Sequence, residues 1–521
     1  MANQTLHTVP AMGAFAQPNA AGMYGAILAI ASFIVRHPIS VRVYVTHTIA
    51  KIIFATLRKP ISRVPGPWYS RWTALVLKYH WVRGQRSIYV HKLHGKYGRI
   101  VRIGPDEVSL CDISALQAVY SARETFRKTP WYIDFVFGVE NIFSTSSPDL
   151  HRTARRALAA PMADAAVHAL APRVAGHVDF AVQRMKAESE TRLAVDVWKW
   201  WLFMTTDIIV ELTFGESFHM LERGEDNEYS YFLRNSGAFG IYRSALPRLS
   251  KLLSLVPLES SRTLNKAATA MRKAAVDGIA IYQRKVEENG ADRVQKTLFT
   301  TLFQEQQDNN SSAAVVRTRL AGHGQSFIVA GSDTTANTLT YAVWTLSKRL
   351  LLRDSLVAEL QALPVDYTDA HLRGCGLLTR IIKESLRMHT AVPEGLPRMV
   401  PPRGALLCGF HLDAGTVVSA QAYSMHRDAA VFAHPDEFDP DRWAAPTKAM
   451  TDSFMSFGRG SRVCIGQHLA HTELRMGIAS FFLAFPNARV SAREGMSDED
   501  MVEESYFVLS PKGHRCLIEV S

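Results

Sequence analysis

A single cysteine, Cys464, sits in the glycine-rich run FMSFGRGSRVCIGQHLAH, from Phe454 to His471. Arg459 and Arg462 precede it, and an apolar, helix-like stretch follows. A thiol in such a loop can be a packing residue, a redox sensor, a nucleophile, one ligand of a zinc ion, or the axial ligand of a haem. Glycines let backbone N–H groups approach the sulfur. A helix starting near Gln467 turns its positive end toward the loop. Both features predict a lowered thiol pKa. His468 and His471 share a helix face and, with Cys464, would make three zinc ligands, but no fourth lies nearby. A nucleophile needs a basic partner, and the sequence marks none.

A second constellation is FIVAGSDTTANTLTYAVWTL, from Phe327 to Leu346. It is a long apolar helix pattern interrupted by Gly331, Asp333, Thr334 and Thr335. The Thr334 hydroxyl is placed to bond the carbonyl of Ala330, four residues back, and to bend the helix. That would open a polar notch suited to dioxygen and water, with Asp333 relaying protons. A solvent-facing polar stripe is the plainer alternative. In KESLRMH, Glu384 and Arg387 stand three apart on one helix face. Arg442, in FDPDRW (Phe438 to Trp443), could complete a buried charge network with them. On their own, the two residues read as a solvated pair.

The elements that must carry these residues are mostly helical. Helix-period patterns run over 150–188, 194–215, 258–289, 315–350 and 467–483, and strand-like runs over 99–111, 406–420 and 506–519. The fold class expected is mainly α with small peripheral β-sheets. No G-x-G-x-x-G turn and no G-K-S/T loop occurs, which disfavours a nucleotide-binding α/β fold. The chain has 521 residues, 47% hydrophobic, enough for a large core. Five scattered cysteines do not make a disulfide framework and point to a reducing compartment. The charge, 59 − 48 = +11, suits an anionic membrane face or an acidic protein partner. Zinc-finger spacings and concentrated basic runs are missing, so nucleic acid is not an expected partner.

Residues 1–35 carry no Asp, Glu, Lys or Arg, and Ala20 to Val35 reads AAGMYGAILAIASFIV. The run is slightly short of the roughly 20 residues a span needs, which local thinning of the bilayer accommodates. It lacks the charged n-region and small-residue cleavage site of a signal peptide, so an uncleaved single-pass anchor is expected. Arg36, Arg42 and Lys51 then place the rest of the chain in the cytosol. Residues 43–57 read as a helix lying on the membrane. RVPGPWYSRW, Arg63 to Trp72, reads as a stiff hinge or a plain loop, and EQQDNNSS, Glu305 to Ser312, as an exposed connection. The expected organisation is an anchor and interfacial segment over 1–62 and a catalytic domain over 63–521.

Taken together, the three constellations resemble the cytochrome P-450 family. Phe457, Gly460, Arg462, Cys464 and Gly466 fit F-x-x-G-x-R-x-C-x-G, Ala330 to Thr335 fit A-G-x-D-T-T, and Glu384 and Arg387 fit E-x-x-R. The resemblance runs from about Val64 to the C-terminus, and the hydrophobic N-terminus is similar to that of microsomal members. VPGPWYSRWT and GTVVSAQAYSMHRD resemble filamentous-fungal members.

The resemblance implies haem b, with the Cys464 thiolate as axial ligand of the iron. It implies Arg462 and Arg398 (in GLPRMVP) at the haem propionates, with His151 and Arg155 near them. Phe457 would lie against the thiolate, and Gly458, Gly466 and Ala330 would border the haem. Glu384, Arg387 and Arg442 would form a structural triad, and Asp333 and Thr334 an acid–alcohol pair delivering protons. The implied activity is monooxygenation, with electrons from NADPH through a separate membrane-bound reductase at the endoplasmic reticulum. The implied substrate is an apolar terpenoid, polyketide or alkaloid skeleton of a fungal secondary pathway. Its candidate contacts are Trp131, Phe135, Phe137, Phe327, Ala330, Val392, Leu396, Tyr506 and Phe507, while Glu394 is expected to face solvent. Two alternatives stand beside this reading: a peroxide-rearranging isomerase or dehydratase, and a membrane-anchored haem sensor without turnover.

Overall fold

The computed structural model describes residues 56–520 with internal gaps, plus a few positions between 46 and 54. Residues 1–45, 137–138, 227, 248–249, 251–258, 291–296, 301–312 and 521 are not described. The expected anchor, much of the interfacial segment, Phe137 and the 305–312 connection therefore lie outside the described residues. Among the described residues, no helix is long and apolar enough to cross a membrane. The chain divides into two compact units, Met1–Ser62 and Arg63–Ser521.

The larger unit is mainly helical, as the periodicity predicts. Helix α1 spans Pro148–Ala159 and α2 spans Asp164–Arg192. These replace the single helix expected over 150–188. Pro161 falls in the break, where its missing N–H and its ring work against continuation. Ser147 caps α1 by accepting from the Leu150 N–H, with Pro148 in the first turn. Helix α3, Val197–Phe214, is buried at every position except Lys199 and Glu211, and it ends at Gly215 in the left-handed region. A helix buried on nearly all sides belongs in the middle of a core. Helices α4 (Ala313–Lys348), α5 (Gly376–Met388) and α6 (Gln467–Ala484) complete the frame.

Helix α4 runs through Gly331, Asp333, Thr334 and Thr335, as the helix pattern over 315–350 predicts. Gly331 is a contact point: a Cβ there would stand 2.6 Å from Ile209 of α3. The hydroxyl of Thr205 on α3 donates to the Ser332 carbonyl of α4 at 2.9 Å, so the two helices touch at backbone distance. Trp201, Phe203, Tyr341, Phe481 and Phe482 are all fully buried where α3, α4 and α6 meet.

The sheets are small. Strands β1 (Ile100–Gly104), β2 (Glu107–Leu110), β3 (Arg127–Lys128), β4 (Arg398–Met399) and β5 (Val417–Ala420) form one sheet in the order β1-β2-β5-β4-β3. Only the β2–β5 pair is parallel. A hairpin joins β6 (Glu503–Tyr506) to β7 (Val508–Pro511). The expected hinge after Arg63 is docked: the Arg102 N–H of β1 donates to the Pro65 carbonyl at 2.8 Å. Its register with β1 makes it part of the domain.

Candidate active site

The cysteine loop runs between a short helix, Lys448–Ser453, and α6. The Cys464 N–H donates to the Phe457 carbonyl at 2.8 Å, closing the loop on itself. From α1, Arg155 reaches the Val463 carbonyl at 2.8 Å. Gly460 permits a close approach: a Cβ there would lie 2.3 Å from the Tyr120 carbonyl oxygen. His426 supports the loop from behind. Its Nδ1 lies 3.1 Å from the Arg387 carbonyl and must donate, while its Nε2 accepts from the Met455 N–H at 3.0 Å. That fixes a neutral tautomer, and burial lowers its pKa to about 3.

Cys464 is exposed, although desolvation is the largest influence on its thiol. An exposed residue whose thiol is nonetheless desolvated lies at the edge of a gap lined by protein. Gly466 borders that gap: a Cβ added there would meet only the Cys464 sulfur, at 4.0 Å. The expected lowering of the thiol pKa is corrected. Burial raises it, and the Gly466 N–H and Arg155 pull back only in part. The zinc set is dispersed. His468 faces Asp164 at 3.5 Å, and His471 faces the Phe457 ring at 5.1 Å. Among the described residues no group of three or more potential metal ligands is gathered. The Phe457 ring thus packs toward His471, and its backbone carbonyl serves the cysteine.

Beside the loop lies a cleft lined by Tyr120, Glu124, Lys128, Arg398 and Arg462, among others. Lys128 of β3 and Arg398 of β4 are direct cross-strand partners. Like charges in that relation repel, and these two are 6% and 4% exposed. Arg398 donates to the Tyr132 hydroxyl at 2.7 Å, and Lys128 donates to the Phe143 carbonyl. Burial, then Arg398 and Arg462, hold the Lys128 pKa well below its ordinary value. The carboxylate here is Glu124, which accepts from Arg462 and from Ser461. His151 stands 3.7 Å from Glu124, and burial and Arg462 lower it to about 4, so it is neutral. The cleft therefore has more buried positive charge than negative. It suits a ligand that carries carboxylates.

On α4 the Thr334 hydroxyl donates to the Ala330 carbonyl at 2.7 Å, the bond expected from the spacing. Ala330 is exposed, while Ile328 and Ser332 on either side are fully buried. Burial pushes the neighbouring Asp333 carboxyl up to about 7, with Arg234 opposing. Thr335, next to Thr334, pairs with Glu473 of α6, which is buried. One of its oxygens has no hydrogen-bond partner among the described residues, and burial raises it to about 8.

Glu384, Arg387 and Arg442 do come together, and not as a solvated pair. Arg387 grips Glu384 with two hydrogen bonds of 2.8 Å, both side chains fully buried. Arg442 and the Trp443 indole add bonds of 3.1 and 2.8 Å to the same carboxylate.

The substrate candidates separate. Trp131, Phe135, Phe507, Val392, Leu396 and Tyr506 share one aromatic cluster with Phe143. Phe507 is 5.0 Å from Phe135 and 5.7 Å from Trp131, ring to ring. Phe327 lies elsewhere, in the main core against Phe299, because its helix face turns toward α3. Glu394 does not face solvent: it is 1% exposed, accepting from Ser505 with Arg86 beside it.

Sequence reasoning missed Glu124, Lys128, Tyr132, His426 and Glu473. Lys128 and Arg398 meet through strands two residues long, which leave no periodic trace. Glu473 had a usable signal, since an acid among LAHTELRMGI falls on the buried face of α6.

The sequence profile of the cytochrome P-450 family matches residues 64–518 of this chain. Among curated proteins, the chain is 42% identical over 470 residues to cytochrome P-450 monooxygenase tazI of Aspergillus terreus, covering 90% of this chain and 95% of that one. It is 35% identical to cytochrome P-450 monooxygenase orf2 of Aspergillus niger, over 91% and 96% of the two chains. It is 29% identical to cytochrome P-450 monooxygenase cypX of Dothistroma septosporum, over 91% and 93%. An exposed cysteine in a desolvating loop, a cation-rich cleft beside it and this extent of similarity lead to one conclusion: the chain belongs to the cytochrome P-450 family and is a monooxygenase.

Proposed function

We propose that the protein is a haem-thiolate monooxygenase that oxidises an apolar secondary metabolite, of terpenoid, polyketide or alkaloid type, with NADPH-derived electrons from a separate reductase. The single observation that carries this reading is the exposure of Cys464, with Gly466 open beside it and surplus buried cations alongside. Cys464 would hold the iron, and Arg462, Arg398 and Lys128 the propionates. Bound there, haem supplies dioxygen activation.

The chain's own residues supply position and protons. Asp333, raised to about 7, can hold a proton near neutral pH and give it up toward the Thr334 hydroxyl. Thr334, bonded to the Ala330 carbonyl, presents its oxygen lone pairs along the accessible face of α4. Trp131, Phe135 and Phe507 offer flat apolar faces that orient a ring-bearing substrate and exclude water. Val392 and Leu396 would close the same wall. The basic surface suits an acidic reductase. The apolar run Ala20 to Val35 would anchor the chain in the endoplasmic reticulum membrane with the catalytic unit in the cytosol.

The test is the carbon-monoxide difference spectrum of the reduced protein beside Cys464→Ser. A thiolate-type Soret band that disappears in the variant supports the reading. Its absence from folded wild-type protein overturns it. Incorporation of labelled dioxygen into product, dependent on NADPH and reductase, then separates monooxygenation from peroxide rearrangement.

A further inference from the structure

Glu124 lines the cation cleft but is not among the groups that would hold a propionate. It holds a left-handed backbone conformation, φ 49°, which a non-glycine residue adopts at a cost. Its carboxylate is shared by three groups from two distant segments. Ser461 Oγ donates at 2.7 Å, Arg462 Nε donates to the same oxygen, and Arg462 Nη2 approaches the other at 3.4 Å. His151 adds its ring 3.7 Å away. On its remaining side Arg462 donates from Nη1 to the Thr145 carbonyl at 3.0 Å.

A guanidinium has five N–H donors in a fixed plane. Glu124 takes Nε and one N–H of Nη2, and Thr145 takes one N–H of Nη1. What remains is one N–H on each terminal nitrogen. Those two donors are what Arg462 can offer a further carboxylate. Charge makes the same point. Of the basic residues lining the cleft, Arg398, Lys128 and Arg462 have buried side chains, Arg127 is exposed, and Glu124 is the one carboxylate. His151 is neutral, Arg155 is turned to the Val463 carbonyl, and Arg459 to the Asp452 carbonyl. Two propionates would raise the carboxylates to three, equal to the three buried basic groups.

We propose that Glu124 is a positioning residue for haem retention: it fixes the Arg462 guanidinium so that its remaining N–H groups face a propionate, and it serves as the third carboxylate of the cleft. This rests on the propionate reading of Arg462, Arg398 and Lys128. Glu124 is thus an ally of the propionate and not its rival for Arg462.

The experiment measures transfer of haem from the full-length holoprotein to excess apomyoglobin, together with the haem reduction midpoint, for wild type, Glu124→Gln and Lys128→Met. Gln keeps the size and an accepting oxygen and removes the charge. Circular dichroism of each holoprotein checks that the fold is kept. For Glu124→Gln, haem loss on the order of tenfold faster is expected, the worth of one charge-assisted contact. A higher midpoint is also expected, since a negative charge near the haem is removed. Glu124→Asp, which keeps the charge, should restore the midpoint, a response that a purely structural role would not give. Slower or unchanged haem loss in Glu124→Gln, while Lys128→Met loses haem faster, would overturn the role of Glu124 and leave the propionate reading standing. Unchanged haem loss in both variants would overturn the propionate reading itself.

Discussion

The carboxylate of Glu394 accepts a hydrogen bond from the Ser505 hydroxyl at 3.1 Å, across 111 residues of chain. The bond ties the 392–396 segment to β6, the strand that leads into Phe507. Arg86 stands 3.8 Å from the other carboxylate oxygen and is itself paired to Glu107 at 2.7 Å. The aromatic cluster is therefore held from behind by a buried polar clasp. Burial raises Glu394 to about 7. The folded protein keeps this proton through a window in which the unfolded chain has lost it, so stability falls as pH rises from the ordinary carboxyl value to about 7. Glu394→Gln does not titrate. Its stability relative to wild type should improve by roughly 1–3 kcal/mol between about pH 5 and about pH 8, in urea melts at the two values. A difference that does not change with pH would show that Arg86 keeps the carboxyl ionised throughout.

Phe507 sits at the turn between β6 and β7 with φ 78°. A bulky side chain there is strained by about 1–3 kcal/mol, and its contacts with Phe135, Trp131 and Phe143 must offset that strain. Phe507→Ala and Phe507→Gly lose the same ring, but only glycine relieves the backbone. Both should be less stable than wild type, with Gly above Ala by about 1 kcal/mol in thermal melts. Equal melts would mean that the turn relaxes once the ring is gone.

The sequence made the helices, the cysteine loop and the Glu384–Arg387 pair legible because each leaves a local pattern. Thr334 is the clearest case: four-residue spacing predicted its bond to Ala330, and the bond is present. What was not legible came from contacts between distant short segments. Lys128 meets Arg398 through a ladder two residues long, and Glu394 meets Ser505 through no ladder at all. Surface or burial at such places depends on which loop covers them. A carboxylate following Pro393 reads as solvent-facing until β6 closes over it. Phe327 failed for a related reason: a helix that is apolar on most sides does not declare which face meets the cavity and which meets α3.

Glu384 binds Arg387 and Arg442, whose side chains are 0% and 7% exposed. Removing the carboxylate leaves two cations without it in the protein interior. Glu384→Ala should cost about 3–5 kcal/mol and lower the yield of haem-loaded protein. The double variant Glu384→Leu/Arg387→Met should cost less than the sum of its single variants, because no unpaired charge of the pair stays buried. A double-mutant cycle in urea checks this, and strict additivity would mean that the two side chains do not act as a pair.

Asp333 is held up at about 7 by burial, one residue from the Thr334 hydroxyl. Below that value it carries a proton it can donate, and above it the donor is spent and must be refilled from water. If the pair delivers protons, turnover of the reductase-coupled enzyme should fall as pH rises through about 7. Asp333→Asn can hold no transferable proton. Product formation should drop roughly 10²-fold, within the range of one general acid, and the pH limb near 7 should vanish. NADPH consumption should fall less than product, because electrons still arrive when protons do not. Thr334→Val should reproduce the loss of coupling but keep the limb, since Asp333 still titrates. A full pH limb in Asp333→Asn would move the proton source elsewhere on α4 or α6. Glu473, raised to about 8 beside Thr335, would then be the next carboxyl to replace.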